Sequence, residues 1–93
     1  MKAFVFPAQA RAAFSNMAVD TAMLDSLGSE TAWMFRNYTW VEPAFTFGYT
    51  QRWGEISKVL PLNAAEICRR PTGGGIVDHR DDWTYALAIS RQL

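Results

Sequence analysis

Arg69-Arg70-Pro71-Thr72-Gly73-Gly74-Gly75-Ile76-Val77-Asp78-His79 is the most informative stretch of this 93-residue chain. Pro71 biases Arg70 toward an extended backbone, and the three glycines admit positive φ and let a ligand touch the main chain. Consecutive amides in such a loop can converge on an anion. The two arginines add charge-assisted hydrogen bonds suited to phosphate or carboxylate, and Thr72 adds a hydroxyl. Two familiar phosphate loops do not fit. No Gly-Lys-Ser/Thr follows, and Gly73-x-Gly75 is followed by Asp78 where a dinucleotide loop needs a third glycine. The β-prone pair Ile76-Val77 also stands where a helix would begin, so the loop joins strand to strand. A triple glycine alone is more often a flexible hairpin; the flanking arginines and the following strand reverse that in favour of an anion cradle.

Outward from the loop the chain alternates strands and helices. Downstream, Trp83 to Ser90 alternates Trp83, Tyr85, Leu87 and Ile89 with Thr84, Ala86, Ala88 and Ser90. Upstream, Glu66 to Arg70 reads as a strand with Arg69 and Arg70 on opposite faces. Before it, Trp53, Ile56 and Val59 or Leu60 recur at helical spacing until Pro61 forbids continuation. Ala44 to Thr50 sets Phe45, Phe47 and Tyr49 against Ala44, Thr46, Gly48 and Thr50. With Ala32 to Trp40 it is expected to form two antiparallel strands joined through Glu42-Pro43. The bare faces of the strands at Ala44 and Trp83 allow two readings: close packing of a helix, or a slot for an extended apolar ligand.

A helix is expected from about Asn16 to Leu27, capped by Ser15 or Asn16 and ended by Gly28. Met17, Met23, Leu24 and Leu27 share one face, and Asp20 falls inside that apolar arc. Either Asp20 is a water-reached first-turn acid or it is buried and needs a cation. Because Arg69 faces away from Arg70, an Asp20–Arg69 pair is expected. His79, the one histidine, reads as part of an exposed polar turn or as a group beside a reacting centre. Cys68 reads as a small core residue rather than a nucleophile. One imidazole with scattered carboxylates lacks the ligand count of a zinc centre, so no protein metal site is expected; magnesium could arrive with a nucleotide.

Composition bounds these readings. Nine Lys plus Arg balance nine Asp plus Glu, so no broad basic surface for nucleic acid or anionic lipid exists. A single cysteine fits a reducing, cytoplasmic setting, and no apolar run is long enough to span a membrane. With 49% hydrophobic residues, one small domain over residues 1–93 is expected.

Three blocks, taken in order, resemble the N-terminal part of the lipoate-protein ligase family, which also includes octanoyltransferases and, more distantly, biotin-protein ligases. They are Asn16-Met17-Ala18-Val19-Asp20, Phe47-Gly48-Tyr49-Thr50-Gln51, and Arg69-Arg70-x-Thr72-Gly73-Gly74-Gly75-x-Val77-x-His79. The resemblance implies an α+β fold, a mixed and largely antiparallel sheet with flanking helices, forming a single partial catalytic domain. It implies that Arg70, Gly75, Ile76, Val77 and Asp78 contact a nucleotide or adenylate phosphate. Thr72, Gly73, Gly74 and His79 would border the acyl group. A ligase of this kind activates lipoate with ATP and Mg, then passes it to a lysine of a lipoyl carrier domain; the transferase branch moves octanoate without ATP. A non-catalytic acyl or nucleotide binding module is the reading from another class. Asp78 departs from the aromatic common in ligases, Asp82-Trp83-Thr84-Tyr85-Ala86 leans toward the transferases, and Gly75 leans toward the ligases. No residue here matches the family's catalytic lysine or cysteine, since Lys2 and Lys58 occupy no such position. A missing C-terminal part or another chain would have to complete the site.

Overall fold

A computed structural model describes residues 1–91. Two mixed sheets are linked by one helix. In sheet A the long strand β3 (Thr31–Trp40) is central. β1 (Lys2–Val5) runs parallel to its first half and β2 (Gln9–Arg11) parallel to its end. β7 (Thr84–Ile89) runs antiparallel, with Trp33 opposite Ile89 and Tyr38 opposite Thr84. Since β7 shares β3 partners with both β1 and β2, it occupies the other edge, and β1 and β2 lie end to end along one edge. Pro7, which has no amide hydrogen to give a ladder, falls in the gap between them.

Sheet B holds β4 (Ala44–Phe47) between β5 (Glu66–Arg69), which is parallel to it, and β6 (Val77–Asp78), which is antiparallel. Three of the five strand pairings are therefore parallel. The arrangement is mixed with flanking helices, as expected, but the antiparallel bias is absent. The expected β3–β4 hairpin is the main correction. Both edges of β3 are already taken, so the bend through Glu42-Pro43 carries β4 into the second sheet, where the Pro43 carbonyl accepts from Glu66 N–H at 2.8 Å.

The helix α1 (Ala13–Asp25) starts three residues earlier than the sequence pattern suggests. Ala12 offers no side-chain cap; instead a Glu66 carboxylate oxygen accepts from Ala13 N–H at 3.1 Å, an acid from β5 placed at the positive end of the helix dipole. Asn16 is not a cap but is fully buried inside the first turns, its amide donating to the carbonyls of Arg11 and Thr39. The helix lies on the face of β3 that carries Ala32, Met34, Arg36 and Tyr38, all buried. Met17 packs with Ala13, Tyr38, Ala44 and Cys68, and Met23 packs with Met34 and Ala88. Burying each methionine contributes about 1.5–3 kcal/mol. The other face of sheet A carries Val5, Trp33, Phe35, Leu87 and Ile89, and β7 leaves Leu87 and Ile89 half exposed. A short helix, α2 (Trp53–Ile56), follows β4 and turns irregular before Pro61. Among the described residues no helix is long and apolar enough to cross a membrane.

Candidate functional site

The glycine loop leaves the end of β5 and folds back over the end of β4. Arg70 N–H donates to the Phe47 carbonyl and Tyr49 N–H to the Thr72 carbonyl, both at 2.9 Å. Gly74 has a φ of 104°, a conformation that side chains disfavour. Its carbonyl lies so close above Gly48 that a Cβ there would overlap the carbonyl oxygen. The bare position in β4 is thus what allows the loop to seat. Gly73 and Gly75 differ: neither has positive φ, and a Cβ built on either meets nothing within 4 Å. The folded chain itself does not require glycine at these two positions; they leave open space beside the main chain. Gly75→Ala is therefore expected to leave thermal stability unchanged or slightly raised, by about 0.4–1 kcal/mol at most. A clear fall in the melting temperature of Gly75→Ala would show that the chain itself needs the glycine.

Arg70 spans the loop. Its Nη1 donates to Thr46 Oγ1 at 2.8 Å, and its Nη2 donates to the carbonyls of Gly73 and Gly75 at 3.0 and 2.7 Å. These bonds engage three of the five guanidinium N–H groups. Burial holds the Arg70 guanidinium below the usual arginine range. Arg69, on the opposite face, donates to the carbonyls of Tyr49 and Gln51 at 2.7 and 2.6 Å and lies over the Phe47 ring. It braces the turn after β4.

Asp20 does not meet Arg69, correcting that expectation. It pairs with Arg36 at 3.0 Å and accepts from the Tyr38 hydroxyl at 2.7 Å. The Arg36 guanidinium, almost fully buried, also donates to the Asn16 carbonyl and side-chain oxygens at 3.0 and 2.7 Å, and stacks over the Tyr38 ring. Burial pushes the Asp20 carboxyl above the usual carboxylate range, outweighing the Tyr38 hydrogen bond and the Arg36 charge that act the other way. Burial, reinforced by the Asp20 acceptor, likewise pushes the Tyr38 phenol up.

His79 is buried, so it does not belong to an exposed turn. Its Nε2 lies 2.7 Å from Thr46 Oγ1 and its Nδ1 2.9 Å from Asp82 Oδ2, while the Trp40 ring stacks on it at 4.2 Å. Asp78 lies elsewhere. Val77 is opposite Thr46 and Asp78 opposite Phe45, so Asp78 points away from Thr46 and is held by Arg80, whose guanidinium keeps the carboxyl below its usual range. Cys68 sits in the core, where burial raises its thiol out of the reactive range.

A cleft of about 180 Å³ connects these parts. Arg70, Thr72 and His79 line one region, Asp20 and Tyr38 lie on its wall, and Met17, Met23, Ala86 and Ala88 supply apolar surface between α1 and β7. Of the two readings of the bare β7 face, close packing of a helix is seen where Ala88 packs on Met23, and the same face also lines the cleft. Of the residues expected at the site, Arg70, Thr72 and His79 line the cleft; Gly73, Gly74, Gly75, Ile76, Val77 and Asp78 do not, although the carbonyls of Gly73 and Gly75 accept from Arg70. Sequence reasoning missed Thr46, Tyr38 and Arg36. The alternation of β3 carried a signal for two of them, because Arg36 and Tyr38 fall in phase with Ala32 and Met34. Among the described residues no cluster of three or more His, Cys, Asp or Glu could hold a metal ion.

No protein-family profile matches the chain. An octanoyltransferase LipM from Carboxydothermus hydrogenoformans is 38% identical over 81 residues, which is 83% of this chain and 30% of that protein. The octanoyltransferase LipM of Kyrpidia tusciae is 40% identical over 78 residues, 81% of this chain and 28% of its own length. This chain therefore spans less than a third of the curated relatives it matches. Among solved structures, a T. acidophilum protein described as a lipoate protein ligase, with lipoic acid bound, superposes with a TM-score of 0.75. The match covers 94% of this chain and 37% of that one at 23% identity, and so concerns the fold.

Proposed function

The chain belongs to the lipoate-protein ligase and octanoyltransferase family, over the part of the family fold that it spans, and from this we propose that it is the portion that holds the acyl group during octanoyl or lipoyl transfer. The observation that carries the reading is the cleft, apolar between α1 and β7 and polar at Arg70, Thr72 and His79. An eight-carbon chain lies along Met17, Met23 and Ala88 with its carbonyl end under Arg70. Octanoate or lipoate is the ligand, and an acceptor lysine on a lipoyl carrier domain is the partner. The setting is the cytoplasm. The chemical step needs a nucleophile that this chain does not supply, so residues 1–93 act as a partial catalytic domain completed by further polypeptide.

Transfer without ATP is the form the octanoyltransferase relatives support. A second reading, ATP-dependent activation with Mg, rests on Gly75. The open space beside Gly73 and Gly75 fits a phosphate approaching the main chain, where Arg70 and the backbone of Gly75, Ile76 and Val77 would hold it. Asp78, turned aside and paired, would not repel it.

Calorimetry on the chain tests both. Parent protein should bind octanoate and lipoate, and no binding of either would remove the acyl reading. Arg70→Ala should weaken a non-hydrolysable octanoyl-adenylate by about 1.5–3 kcal/mol, and octanoate by less, because the phosphate offers the guanidinium the stronger acceptor. Equal affinities of variant and parent for the adenylate would take Arg70 out of the site. An adenylate that binds no more tightly than octanoate would favour the ATP-independent form.

A further inference from the structure

One set of hydrogen-bonded side chains has no part in the proposed function: buried Thr46 and half-buried Asp82, joined through His79 to Arg70. Thr46 is fully buried, yet its hydroxyl has two partners, Arg70 Nη1 at 2.8 Å and His79 Nε2 at 2.7 Å. Arginine only donates, so Thr46 Oγ1 accepts from Arg70. On the other side of the ring an ionised carboxylate only accepts, so His79 Nδ1 carries a hydrogen and gives it to Asp82 at 2.9 Å. In the neutral ring Nε2 is then an acceptor, which draws the Thr46 hydroxyl hydrogen toward itself and leaves the oxygen lone pairs to the guanidinium. Asp82 is fixed in turn: its second oxygen accepts from the Thr84 hydroxyl at 2.9 Å, and Trp40 Nε1 donates to Thr84 Oγ1 at 2.9 Å. Stacking of Trp40 on the imidazole sets the ring plane. The far end of the chain is the loop itself, through the Arg70 bonds to Gly73 and Gly75.

We propose that Thr46 and Asp82 are positioning residues for the acyl head group: Asp82 fixes the His79 tautomer, His79 orients the Thr46 hydroxyl, and Thr46 aims Arg70 at the ligand's anionic end. The inference rests on the acyl reading of the cleft given above. It makes the turn after β6, on the far side of His79, a determinant of affinity at a loop it does not touch.

The test compares octanoate with octan-1-ol, which has the same chain and no charge, by calorimetry on the parent, Thr46→Ser and Thr46→Val. Thr46→Val should lose about three- to tenfold in octanoate affinity, the worth of one such hydrogen bond, with octanol changed by less than about twofold. Thr46→Ser, which restores the hydroxyl, should behave as the parent does. Equal losses for both probes, or no loss for octanoate, would overturn the proposal, since a merely structural Thr46 would not separate them. Nitrogen NMR of the His79 ring gives a readout that needs no ligand and no Thr46 variant. The parent ring should carry its hydrogen on Nδ1, and Asp82→Asn should move it to Nε2. A parent ring protonated on Nε2 alone overturns the relay. If the parent binds neither probe the acyl reading falls, and the ring spectrum still decides the relay.

Discussion

Arg36→Ala is expected to cost about 3–5 kcal/mol of unfolding free energy, the largest loss of any single substitution considered for this protein. The guanidinium is 4% exposed and its partner Asp20 15%, so the charges meet largely out of water. Removing Arg36 leaves the Asp20 carboxylate without a counter-charge and strips two oxygens of Asn16 of their donor. Urea denaturation measures it, and a loss under about 1 kcal/mol would mean that water reaches the pair. The deficit should also depend on pH. Already in the parent, burial holds the Asp20 carboxyl above its ordinary value of 3.8, and loss of Arg36 removes a charge that pulls it down. A raised pKa in the folded state means that the folded protein binds more protons than the unfolded chain between the two values. Stability of the variant then falls as pH rises through that window and recovers as pH drops, so the gap between variant and parent should narrow in acid. A gap that widened on acidification would contradict an unpaired buried Asp20.

Gly48→Val is expected to abolish acyl binding and to lower stability, by about 1–3 kcal/mol if the loop yields and by more if β4 must shift. A Cβ at Gly48 overlaps the Gly74 carbonyl, and Gly74, at φ 104°, cannot retreat without disturbing its neighbours Gly73 and Gly75, whose carbonyls are held by Arg70. Gly48→Ala tests the steric argument separately from β-branching, because the clash begins at the first carbon. Octanoate calorimetry and thermal melts together decide the case. A folded Gly48→Ala variant with parental affinity would show that the loop does not rest on β4 as described.

Much of this was legible in the sequence because local rules act locally. The positive φ of Gly74, the bare face of β7 and the opposite orientation of Arg69 and Arg70 follow from residue types and a period of two. Pairing was harder to read. β3 and β4 look like a hairpin because the segment between them is short, but their partners were decided by β1, β2 and β7, which lie far away in sequence and fill both edges of β3. The helix start is hidden from the local sequence for a related reason: the group that accepts from Ala13 N–H is Glu66, fifty-three residues distant, and no local pattern announces it. The sequence leaves Asp20 as either a first-turn acid reached by water or a buried acid in need of a cation, and the structure pairs it with Arg36 rather than Arg69. Two adjacent arginines beside a glycine loop are the more conspicuous cations, while the single Arg36 stands among aromatics whose alternation places it under the helix.

The two sides of sheet A have different fates in solution. One is covered by α1 except at the cleft beside β7, whereas the other presents Val5, Trp33, Phe35, Leu87 and Ile89, with Val5, Leu87 and Ile89 exposed. A continuous oily surface of this kind makes solubility a thermal property. Attraction between such surfaces weakens on cooling and strengthens in sulfate or phosphate. Any adhesion between copies of the chain through this face is therefore expected to grow as the solution warms or as sulfate is added, which light scattering against temperature would show.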